Sequence, residues 1–132
     1  LHWHSSGNGT RNITIRLFAP LVRPDLGLPV DSVISSRGPL LQMLGVVVAL
    51  MGEDDFIAGD TPTIADIAAY GEIGQCLPEY CNLLDFGVLP KLIGWVERMR
   101  ALPHHDALME QCAPLFAYVR KGVAELEGGS KL

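Results

Sequence analysis

Positive charge is scarce in this sequence. Ten Lys and Arg stand against 15 Asp and Glu, for a net charge of −5 at neutral pH. No basic footprint exists to hold a phosphate backbone or an anionic lipid surface, so neither nucleic acid nor membrane is an expected partner. Cysteine is also sparse. Cys76, Cys81 and Cys112 are an odd set without framework spacing, and the five-residue step from Cys76 to Cys81 fits neither a CxxC redox pair nor a zinc knuckle. Reduced core thiols in an intracellular protein are the expected state. The most apolar run, Leu40 to Met51, spans 12 residues and contains Gln42, which suits a buried helix rather than a bilayer crossing. The four histidines, His2, His4, His104 and His105, stand one or two apart in pairs, and such neighbours on helices do not converge on one ion. No metal site is expected. Asn8-Gly9-Thr10 and Asn12-Ile13-Thr14 match the glycosylation sequon, but no secretory signal precedes them, so both are read as chance.

What is present is apolar residues at helical spacing. The 132 residues are 48% apolar and 19% charged, enough for one domain with its own core. Val33, Ile34, Leu41, Leu44, Val48 and Met51 recur three and four apart behind Asp31, a candidate N-cap. Gly38-Pro39 interrupts them and predicts a kink or break, and Gly52 to Asp55 a polar turn. A second helix is expected from Thr63 to Pro78, so apolar all round that it belongs at the centre of a bundle. A third opens at Pro90, carries Leu89, Leu92, Ile93, Val96 and Met99 on one stripe, and stops at Pro103. The last follows Pro114, with Leu115, Phe116, Val119, Val123 and Leu126 in register, and ends at Gly128-Gly129. Near the start, Ile13 to Leu17 alternates like a strand, yet Ile13, Leu17 and Leu21 are four apart. With no second strand to pair with, a helix is the better reading. The expected organisation is a helical domain over residues 1–127 and a short tail over residues 128–132.

The most informative stretch runs from Phe56 to Ile67, FIAGDTPTIADI. Thr63 is placed as N-cap, its hydroxyl accepting from the amide of Asp66 while the Asp66 carboxylate reaches back to the amide of Thr63. Because the helix behind is apolar, an unmade cap bond there costs roughly 1–2 kcal/mol. Pro62 against Ile67 would complete a hydrophobic staple.

That string resembles the start of the central helix in the C-terminal domain of glutathione transferases. Pro90-Lys91-Leu92, Trp95, Arg98-Met99 and Leu102-Pro103 resemble the family's next helix. Leu1-His2-Trp3-His4 with Arg11 resembles the first C-domain helix of theta-like members. The likeness runs over about residues 1 to 112, with two departures: a glycine-rich insertion at Ser5 to Thr10, and Pro39 where the family helix runs on. It implies an all-α bundle of the transferase C-terminal type. It also implies an enzyme that uses glutathione as co-substrate and conjugates it to small electrophiles, usually as a homodimer. In that family a thioredoxin-like domain binds glutathione and stabilises its thiolate, and none of that domain's motifs occurs here. The chain begins with Leu1 rather than Met, as expected of a fragment, a processed product or a truncated gene model. Alone it is expected to be inactive.

By the same resemblance, His4, Ser5, Ser6 and Arg11 would lie nearest the active site. Arg11 is the candidate for a glutathione carboxylate, since a guanidinium fork suits bidentate contact. A solvated or interhelical Arg11, and a merely structural His4, stand as the alternatives. The competing reading of the whole chain is a non-catalytic interaction module, like the transferase-like domains of translation factors and synthetases. Finally, Ser130-Lys131-Leu132 matches the peroxisomal import signal at the end of the chain, where a receptor reads it. A peroxisomal location and an import receptor as partner are expected, with the cytoplasm as the alternative.

Overall fold

In a computed structural model, which describes residues 9–129, the described residues form helices and no strand. Helix α1 covers residues 11–22. It opens as Arg11–Ile13, widens into a π-helical turn over Thr14–Phe18, and closes as Ala19–Val22. The wide turn is marked by the amide of Ala19, which donates five residues back to the carbonyl of Thr14. Pro20, next in line, has no N–H with which to continue the ordinary ladder. Ile13 and Leu17 face the core, so the helical reading of this stretch holds. A 3₁₀ turn at Pro24–Leu26 ends on Gly27, whose φ of 62° is left-handed.

Helix α2 comprises Ser32–Ser35 and Arg37–Met51. The break falls at Ser36, two residues before Gly38-Pro39. Pro39 sits in the first turn of the second segment, where an N–H is not needed, and its ring disfavours helix in the residues before it. Asp31 flanks the first segment but its side chain makes no cap bond; the Ser32 hydroxyl donates to the carbonyl of Pro29 at 2.9 Å instead. By length and composition α2 is apolar enough to cross a membrane, with a mean hydropathy of 1.6. Its Val33, Leu40, Leu44, Val47 and Met51 face is buried in the domain core.

Helix α3 runs Ile64–Ile73 and passes into a 3₁₀ turn, Gly74–Cys76, which ends two residues ahead of Pro78. Helix α4 is Pro90–Arg100 and α5 is His105–Gly129. On α4 the buried stripe is Leu92, Trp95, Val96 and Met99, with Ile93 at the exposed edge. Helix α5 begins nine residues earlier than Pro114 suggests, and Pro114 lies inside it. The turn there is exposed at both Glu110 and Pro114, so water can serve the carbonyl that the proline leaves without its N–H. Phe116, Val119 and Val123 bring the second half of α5 into the core.

One expectation about α3 is corrected. Asp66, Ala69, Tyr70 and Ile73 are buried, but Ile64 and Ile67 are 66% and 62% exposed. The helix is packed on one side only, because an all-round apolar pattern does not specify which face a neighbour covers. Pro62 is exposed like Ile67, so the staple pair buries little surface.

Candidate functional site: a sealed cap beside an open groove

The sealed side is built around Asp66, which has no exposed surface. The capping box is formed, and the Thr63 hydroxyl accepts from the amide of Ala65 at 3.2 Å. One Asp66 oxygen, Oδ2, accepts from the amide of Thr63 at 2.9 Å and from its hydroxyl at 3.2 Å. The other, Oδ1, accepts from the amide of Ile57 at 2.9 Å and from the indole Nε1 of Trp95 at 2.8 Å. Burial pushes this carboxyl up, but the Ile57 amide, the Trp95 indole and the Thr63 amide and hydroxyl together hold it below its ordinary value. Arg98 secures the same loop from α4. Its Nε donates to the carbonyl of Asp55 at 2.9 Å, and its guanidinium lies 5.8 Å from the centre of the Phe56 ring. Thr63 and Asp66 thus take the structural role read from their spacing. Spacing alone did not reveal that Trp95 completes the knot, 29 residues away. The available signal was physical: an indole N–H within an apolar helix has to find an acceptor.

The open side of α3 faces a groove of about 620 Å³ whose lining includes Ile67, Gly71, Met99, Leu102 and Leu108. Tyr70 and His105 also border it. The Tyr70 hydroxyl lies 2.7 Å from Nε2 of His105, and Nδ1 of that ring lies 2.9 Å from Oδ1 of Asp106. Burial raises the Tyr70 phenol far above its usual range, so it keeps its proton. A neutral imidazole at His105 can accept from the phenol at Nε2 while Nδ1 donates to Asp106. Gly74 makes room for this arrangement. A Cβ there would stand 2.6 Å from Cζ of Tyr70.

A second polar junction, between α1 and α3, has no local signature in the sequence. The Thr14 hydroxyl donates to the Glu72 carboxylate and accepts from Nε2 of Gln75 at 3.2 Å. These partners are 58 and 61 residues away along the chain.

Of the candidate glutathione contacts, Arg11 lies on the exposed side of the first turn of α1. His4, Ser5 and Ser6 lie outside the described residues, as do Ser130, Lys131 and Leu132. Cys76 and Cys81 are fully buried and Cys112 partly so, all as free thiols. Burial pushes the Cys76 thiol well above its ordinary value and that of Cys81 up to about 12. Neither is suited to act as a thiolate near neutral pH. Among the described residues no group of three or more His, Cys, Asp or Glu is placed to hold a metal ion.

A family model described as the C-terminal domain of glutathione S-transferase matches residues 18–103. The match contains both the Phe56 to Ile67 string and the Pro90 to Pro103 helix, and it begins after Arg11. No curated protein and no solved structure matches the chain.

Proposed function

Because this chain belongs to the glutathione transferase family through its C-terminal domain, we propose that it serves as the helical half of an enzyme joining glutathione to small electrophiles. In this reading a thioredoxin-like half supplies the glutathione site and docks on the apolar groove beside α3. The exposed pair Ile67 and Leu108, both lining one largely apolar groove, is the observation that carries it: a bundle complete in itself has no reason to leave this side of its central helix uncovered. Arg11 at the head of α1 is the described residue offered to a glutathione carboxylate.

A homodimer is part of the same proposal. The outer face of α2 includes Val46 and Leu50, both exposed, and no charged residue lies between Arg37 and Glu53. Such a face suits a second copy of itself across a two-fold axis. Ser130-Lys131-Leu132 is proposed as a peroxisomal address, and a fusion of residues 121–132 to a fluorescent protein should collect in peroxisomes. Diffuse cytosolic fluorescence would remove that part of the reading.

The purified 132-residue chain should show no conjugation of chlorodinitrobenzene above background. Supplied with the thioredoxin-like half of a theta-like transferase, it should co-purify with that half and turnover should appear. Turnover by the chain alone would contradict the division of labour. Docking without turnover would favour the non-catalytic interaction module.

A further inference from the structure

We propose that Tyr70, His105 and Asp106 form a proton-operated latch that sets the state of the groove beside α3. The three residues make an unbroken line from a buried phenol, through a buried imidazole, to a carboxylate whose side chain is 98% exposed. A line of this kind has two self-consistent arrangements. With a neutral imidazole, Tyr70 donates to Nε2, Nδ1 donates to Asp106, and every buried polar atom in the line is served. With a proton added at Nε2, imidazole and phenol both present hydrogens across 2.7 Å. The phenol then has to turn its O–H away and accept instead, and the open side available to it is the groove that Tyr70 lines.

The surroundings confine this change to the latch. Tyr70 packs edge-on against Trp95, with ring centres 5.9 Å apart, and Gly74 lies directly against its ring, so the phenol moves its hydrogen more easily than its ring. The charged and titratable groups facing Tyr70 are Glu79 and Tyr80 from the loop after α3 and Glu97 and Arg100 from α4. Arg100 is already paired with both Glu79 and Glu97. On the α5 side, Asp106 and Glu110 share a small hollow with Glu79 and Arg120, and Arg120 is tied to the carbonyls of Glu79 and Tyr80. His104, next in the chain, also borders the groove, in a left-handed conformation with φ of 67°.

Neutral imidazole keeps this stretch of the groove wall uncharged; imidazolium turns a phenolic donor and a charge toward it. An apolar partner should therefore dock less well in acid. That consequence rests on the docking proposed above, whereas the latch needs only this chain.

The test is an NMR titration of the purified chain from pH 8 to pH 5, following the His105 imidazole and the backbone amides of Gly71 and Leu108. The two groove amides should shift with the midpoint of His105, persist in His104→Gln, and stay flat in His105→Gln. Tyr70→Phe removes a donor that favours neutral imidazole and should raise the midpoint. Asp106→Asn removes a carboxylate that favours the cation and should lower it. Those opposed shifts remain readable if His105→Gln does not fold. Groove amides that ignore His105, that titrate unchanged in His105→Gln, or a midpoint indifferent to both Tyr70→Phe and Asp106→Asn would overturn the latch. Failure of the thioredoxin-like half to bind would instead leave these titrations intact and count against the proposed function.

Discussion

The two flanks of helix α3 handle polar groups in opposite ways. At Asp66 a charged group without exposed surface is saturated by backbone, hydroxyl and indole donors. At Ile67, the next residue, an apolar side chain is left 62% exposed above a groove. The first flank is finished within this chain, and its energetics should be those of folding. The second is left open, and under the proposed function its energetics should be those of association. A single turn of one helix thus separates residues that hold the domain together from residues that the proposed partner half would cover.

The largest effect is expected at the sealed flank. Asp66→Ala leaves the buried donors of Ile57 and Trp95 without an acceptor, and should cost about 3–5 kcal/mol in urea unfolding. The same site fixes an acid dependence. The folded carboxyl is held below its ordinary value, so its contribution is fully present above the unfolded-state value of about 4 and is lost as pH falls through the lower folded value. Melting temperatures between pH 6 and pH 2 should fall less steeply in Asp66→Asn than in the parent. An equal slope in the two proteins would remove the carboxylate from the account.

Trp95→Phe comes next, at roughly 2–3 kcal/mol, because it removes one donor and opens a small void beside Asp66. Gly74→Ala should cost about 1–2 kcal/mol by forcing the Tyr70 ring off its seat. The smallest effect belongs to the open flank. Ile67→Glu and Leu108→Glu should change the stability of the isolated chain by no more than ~0.5 kcal/mol, yet abolish capture by the thioredoxin-like half. If they destabilise the chain as Trp95→Phe does, the groove is part of the core and the contrast between flanks is lost.

How much of this was legible in the sequence depended on distance along the chain. Thr63 and Asp66 are three apart, so the capping box could be read directly. Trp95 joins the same carboxylate from another helix, and nothing in the spacing pairs a tryptophan with an aspartate 29 residues earlier. Thr14, Glu72 and Gln75 were hidden for the same reason. Proline misled twice in different senses. Pro39 marks a break that falls at Ser36, and Pro114 suggests a helix start but sits within an exposed turn of α5. The open groove was the hardest feature to foresee, since an apolar helix looks alike whether its last face is covered by its own domain or by another. The resemblance carried the family, as the match to residues 18–103 shows. The proposed glutathione contacts His4, Ser5 and Ser6 lie outside both that match and the described residues.

The central claim is that one buried carboxylate joins the capped loop to α4, and a double-mutant cycle between Asp66→Asn and Trp95→Phe in urea unfolding tests it most directly. The account predicts a coupling of at least ~1 kcal/mol. Additivity within about 0.3 kcal/mol would contradict it, since the two side chains would then contribute independently.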